Sequence, residues 1–188
     1  MGVSAPPAWA SVTGKPTTLA GYGVASTDAL FLALGASIAT TSGTAADFTG
    51  IPAGTKMIII SFNGVSTNGT SALLVQLGDS GGVENTGYLS NVGQINSGGT
   101  NTGTSAAGFL LNTAAGAVNI FSGSIILTLV NSSTNAWIAV SLTNYNSINA
   151  MYMQAGNKAL SAVLDRVRIT MVNGTDAFDA GEVNILYK

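Results

Sequence analysis

The sequence predicts an all-β protein, a jelly-roll-like antiparallel β-sandwich. Three observations carry that expectation: 24 glycines spread over 188 residues, apolar runs too short for helices, and polar turn clusters between them. Glycine and small polar residues punctuate strands, while two-residue alternation marks half-buried ones.

The first core strand is expected over Lys56 to Asn63 (KMIIISFN). Ile58, Ile60 and Phe62 share one face, and Met57, Ile59 and Ser61 the other, so both sides are expected to be covered. Leu73 to Leu77 follows, then a weaker strand near Thr86 to Asn91. Asn96 to Ser105 (NSGGTNTGTS) has no apolar period and reads as a polar loop, a candidate recognition tip on a rigid scaffold or a plain solvated connector. Gly108 to Asn112 is a further strand. In Ile120 to Val130, Ile125, Leu127 and Leu129 face one way. Asn131 to Asn135 turns the chain into Trp137 to Thr143, with Ile138, Val140 and Leu142 expected inward and Ala139, Ser141 and Thr143 outward. Ala150 to Gln154 is short. Arg166 to Val172 sets Val167, Ile169 and Met171 against Arg166, Arg168 and Thr170, and Glu182 to Tyr187 puts Val183, Ile185 and Tyr187 on one face. Some eight to ten strands with closely spaced turns make a sandwich.

The first 45 residues read differently. Ser26 or Thr27 caps a short expected helix through Asp28, Ala29, Leu30, Phe31 and Leu32, within a stalk-like appendage over 1–45. The β-domain is expected over 46–188.

Charge narrows the function classes. Charged residues are 7% of the chain, against about 25% in ordinary soluble domains. Net charge is −2 and no basic stripe exists, which argues against nucleic acid. No apolar run reaches the length of a membrane span: Ala29 to Ala39 is broken by Gly35 and Ser37, so no membrane insertion is expected. With no cysteine and no histidine, disulfides and the usual zinc, copper and haem ligands are missing, and no cofactor is expected. A surface this poor in ions implies an oligomer that hides area in partner subunits.

The string Gly78-Asp79-Ser80-Gly81-Gly82 matches the surroundings of a trypsin-type nucleophile. A serine hydroxyl needs a neighbouring base, and the chain offers no histidine and no serine–lysine motif. The string is read as a turn between strands. Asp176 and Asp179 lie in one turn and Asp165 begins a strand, a weak basis for paired-carboxylate hydrolysis.

Gly14-Lys-Pro-Thr-Thr-Leu-Ala-Gly-Tyr-Gly-Val24, followed by Asp28-Ala29, closely resembles the repeat of tailed-phage tail fibres. The unit occurs once, and Ala25-Ser26-Thr27 lengthens the usual spacing before Asp28. Asp47-Phe-Thr-Gly-Ile-Pro52, Asn63-Gly-Val-Ser-Thr-Asn-Gly69 and Ala180-Gly-Glu-Val-Asn-Ile-Leu-Tyr-Lys188 look like the terminal domain of phage fibre-like proteins. The resemblance implies a homotrimeric, non-enzymatic virion protein. It would associate with other virion proteins and touch a bacterial surface glycan or outer-membrane protein. A structural role without a receptor, as a head fibre, decoration protein or tail connector, is the alternative.

Within that frame, Trp137, Tyr145, Asn146 and Tyr152 are candidates for an aromatic sugar platform, because sugar C–H faces pack on rings while amides bind hydroxyls. The competing reading makes these rings sandwich core or trimer contacts. Tyr88, with Asn91 near it, is a second candidate, and Asn101 and Thr102 are the exposed candidates of the polar loop.

Overall fold

The computed structural model describes Gly14 and residues 32–113, 116–146 and 149–188. The expected helix near Asp28 and nearly all of the tail-fibre-like repeat lie outside the described residues. By its internal contacts the chain divides at Phe31, and Leu32–Lys188 forms one compact unit.

That unit is an antiparallel β-sandwich. Its strands in chain order are β1 (Ala33–Leu34), β2 (Ile38–Ala39), β3 (Ala45–Thr49), β4 (Met57–Thr67), β5 (Leu73–Asp79), β6 (Gly82–Val83) and β7 (Leu89–Asn96). They continue with β8 (Gly99–Ser105), β9 (Phe109–Leu110), β10 (Phe121–Asn131), β11 (Ala136–Tyr145), β12 (Ala150–Ala159), β13 (Arg166–Met171) and β14 (Phe178–Tyr187). Among the described residues, a nine-stranded sheet runs β1-β14-β4-β10-β11-β12-β7-β8 with β2 also on β14. A five-stranded sheet runs β3-β13-β5-β6 with β9 also on β5. The described part of the segment expected to be an appendage, Ala33 to Ala39, lies along the edge of β14.

Alternation explains most strands. Ile58, Ile60 and Phe62 of β4, Ile125 and Leu127 of β10, Val167 and Ile169 of β13, and Val183 and Ile185 of β14 all point into one buried cluster. Strand β5 is buried on both faces, with Leu73, Leu74, Val75, Gln76 and Leu77 all enclosed. Its outer side is covered by the loop before β9, where Gln76 Nε2 donates to the Ala107 carbonyl at 2.9 Å. At the irregular crossing of β4 and β14, Gly181 has φ +89° and its Cα abuts the Gly64 backbone so closely that a Cβ would collide. Only glycine serves there.

Two expectations fail. The orientation of β11 is inverted: Trp137, Ala139 and Thr143 are buried, while Ile138, Val140 and Leu142 are 44–53% exposed. The stretch expected as a loop is an edge strand, β8, paired with β7 from Ser90↔Ser105 to Asn96↔Gly99. An edge strand takes its backbone bonds from one neighbour and need not bring apolar side chains, so polarity alone concealed it.

Candidate functional site

The four aromatic candidates are core residues. Trp137, Tyr145, Tyr152 and Tyr88 are each no more than 2% exposed. Phe62, Phe121, Tyr145 and Tyr152 form a chain of edge-to-face contacts with centroids 5.3–5.4 Å apart. Such geometry sets the positive ring edge against the negative face of the next ring. The Tyr145 hydroxyl accepts from Asn112 Nδ2 at 2.9 Å. The Tyr88 hydroxyl accepts from the Leu77 amide at 2.7 Å and lies 3.0 Å from the Glu84 carbonyl. Burial pushes the phenol pKa values of Tyr88 and Tyr145 well up. These rings cannot stack on a sugar, because the inner face of the large sheet absorbs them.

Beside Tyr88, Lys158 points inward from β12. Its ammonium pairs with the Glu84 carboxylate and lies 5.4 Å from the Tyr88 ring centroid. Burial alone would raise the Glu84 pKa, but the Lys158 ammonium and the Ser161 amide outweigh it and hold the carboxyl below its ordinary value. Further along, Gln154 is buried with neither end of its amide bonded to protein, and the Trp137 indole nitrogen and Ser141 hydroxyl likewise find no protein partner.

The GDSGG string is the β5–β6 hairpin. Ser80 is exposed at its tip. Asp79 accepts from the Gly81 amide at 2.8 Å and the Ser161 hydroxyl at 2.7 Å, and the Ser161 bond is the main reason its pKa is lowered. Asp176 accepts from the Ser71 amide and Asn173 Nδ2, and Asp179 from the Ser66 hydroxyl. Asp176 therefore ties two loops together, and Asp179 ties β14 to β4. Arg166 and Arg168 stand on the outer side of β13, paired with Asp165 and Asp47 at 2.7 Å. Among the described residues no three His, Cys, Asp or Glu side chains gather as a metal site, and no helix is long and apolar enough to cross a membrane.

What remains exposed and convergent is one end of the large sheet. There the ends of β11 and β12 lie beside the β7–β8 turn. Asn144, Met151, Ile95 and Thr100 are successive cross-strand partners over four strands. A shallow concavity there is lined by Asn144, Asn146, Asn149, Ala150 and Met151. Asn144 Nδ2 donates to Asn146 Oδ1 at 2.5 Å, orienting both amides. Asn149 sits at φ +48°, a left-handed position that asparagine tolerates. Asn101 and Thr102 are exposed on β8, with the Thr102 amide bonded to Asn101 Oδ1 at 2.9 Å. Of the sequence candidates, the structure leaves Asn146 at this concavity and Thr102 exposed on the same face of β8, while its neighbour Asn101, exposed at the sheet edge, is in register with the inward-facing Gln94 and Tyr152. Asn144, Asn149 and Met151 were missed, although the asparagine density of 144–149 was a usable signal. The tip can offer amide and hydroxyl hydrogen bonds and a thioether contact, without charge.

Comparison with family models, curated proteins and solved structures finds no match to this chain.

Proposed function

We propose that this chain is a non-enzymatic adhesion module of a phage fibre, acting as a homotrimer and presenting the Asn-rich tip to a bacterial surface glycan or outer-membrane protein. The observation that carries the reading is the uncharged, amide-lined concavity of Asn144, Asn146 and Asn149 at one end of the large sheet. Amides donate and accept at once, which suits sugar hydroxyls. The tail-fibre resemblance of Gly14 to Val24 supports the virion setting. Three copies would raise avidity from individually weak contacts.

A second reading, a structural virion component without a receptor, is favoured by one observation: among the described residues no tyrosine or tryptophan ring is fully exposed, so the tip lacks a stacking platform.

The test is a pull-down of the purified protein on Gram-negative cells, with a lipopolysaccharide-deficient strain alongside. The adhesion reading expects retention on cells that drops by about fivefold or more for the Asn144→Ala/Asn146→Ala variant, the loss of about 1 kcal/mol of hydrogen bonding per copy. Retention on no cell, together with association with virion particles, selects the structural reading.

A further inference from the structure

The outer face of the large sheet is unlike the rest of the molecule. Leu186, Ile59, Ile126, Val140, Ala155 and Asn91 are successive partners across six strands. The next row runs Ser61, Ser124, Leu142, Met153 and Gly93. A third places Ile138 beside Asn157 and Leu89. Ile126, Ile138, Val140, Leu142, Met151 and Met153 are 38–53% exposed.

No charged side chain interrupts these rows. Strands β4, β7, β8, β10 and β11 contain no Asp, Glu, Lys or Arg, and the one cation of β12, Lys158, is buried and turned inward. The smaller sheet is the opposite: its exterior carries Arg166, Arg168, Asp165 and Asp47 in ion pairs. Ion pairs thus gather on one side of the sandwich, while the rows named on the other are uncharged, with Glu182 of β14, which accepts from Asn63 Nδ2, at their margin.

Size adds a second argument. Seven strands from β14 to β8, about 4.8 Å apart, span about 29 Å, and seven residues at about 3.3 Å each span about 20 Å, a footprint of roughly 600 Å². The largest apolar patch of a typical monomer is about 300–600 Å², and a stable interface buries about 800 Å² per partner. The footprint, which holds Ser61, Ser124, Asn91 and Asn157 beside its aliphatic side chains, is somewhat smaller than what a specific association buries per partner.

We propose that this face, centred on Ile126, Val140, Leu142 and Met153, is the surface through which copies of this chain pack on one another. Its charge pattern selects the occupant. A neutral face meets its own copy without setting like charges together, and it has no ion with which to recognise a charged partner. A second copy is also made wherever the first is, so the face need never stand bare. The proposal deepens the trimeric reading above and rests on it: three flat sheets can turn toward a common axis and leave the ion-paired sheets outside.

The experiment is native mass spectrometry of the full chain and two variants, with far-ultraviolet circular dichroism as the check on folding. Val140→Lys/Leu142→Lys places two cations on the face at half-exposed positions, and Val172→Lys places one at an exposed apolar site beyond β13. The wild type and Val172→Lys are expected at three times 18.8 kDa. The double variant is expected at one chain mass, with an unchanged β spectrum and association weakened at least tenfold. A folded double variant that stays trimeric overturns the assignment of the face while leaving the adhesion reading intact. A wild type that runs as one chain overturns it too. If that single chain co-sediments with phosphatidylcholine vesicles, the face belongs to a lipid surface instead.

Discussion

Val140 on β11 stands directly opposite Ile126 on β10, and both are exposed in the single chain at 50% and 38%. Cross-strand aliphatic pairs of this kind ordinarily line a core. Their inward neighbours, Ala139 and Leu127, occupy the real core at 1% and 0% exposure. The large sheet is thus apolar on both sides, as a sheet buried on both sides in an assembly must be.

That contrast predicts different responses to truncation. Phe121 is fully enclosed and touches the rings of Phe62 and Tyr145. Phe121→Ala is expected to cost about 3–5 kcal/mol in urea unfolding, from lost transfer energy and the remaining cavity. Val140→Ala is expected to leave single-chain packing nearly untouched and to lower the concentration-dependent part of the melting temperature.

The Lys158–Glu84 pair predicts a pH dependence. The Glu84 carboxyl is held below its ordinary value of 4.5, so the folded state binds its proton less readily than the unfolded state does. Its stabilisation is complete above pH 4.5 and is lost as pH falls through the lowered folded value. Asp79, lowered from 3.8, acts in the same direction further down. Thermal melts between pH 7 and pH 3 are expected to show falling stability at the acid end, with a shallower fall for Glu84→Gln. An equally steep fall in that variant assigns the acid sensitivity to other carboxylates.

Gln154 predicts a gain. Its amide is buried without a protein partner at either end. Burying such a group unbonded costs about 1–3 kcal/mol. Gln154→Met, nearly the same volume, is expected to hold or raise the unfolding free energy measured in urea by up to about 1 kcal/mol. A loss above about 2 kcal/mol would mean that the amide makes strong bonds in solution.

Much of this fold was legible from alternation, and the two failures have separate causes, an oily exterior at β11 and a wholly polar edge strand at β8. The inward faces of β10, β13 and β14 are legible because their inward residues are plainly the more apolar set, whereas β4, apolar on both faces, is expected to be covered on both sides and in the single chain is only half-covered at Met57, Ile59 and Ser61. In β11 the outward set, Ile138, Val140 and Leu142, is oilier than the inward set of Trp137, Ala139, Ser141 and Thr143. A two-residue period reports two faces, and burial was assigned to the more apolar one. That rule fails where a sheet is apolar on its exterior. The same inversion makes sense of the candidate site. Trp137 enters as a candidate sugar platform because its strand is turned the wrong way round in the sequence reading, and burial bears out the competing reading of Trp137, Tyr145 and Tyr152 as sandwich core. Asn101 and Thr102 were found through polarity alone, although their strand was not.

Light scattering of the unmodified protein at micromolar concentration tests the central claim most directly. Three copies of the 18.8 kDa chain in a single, non-aggregating species is the result expected. A stable, soluble monomer would show that the oily sheet face tolerates water, and would contradict the account of a shared interface.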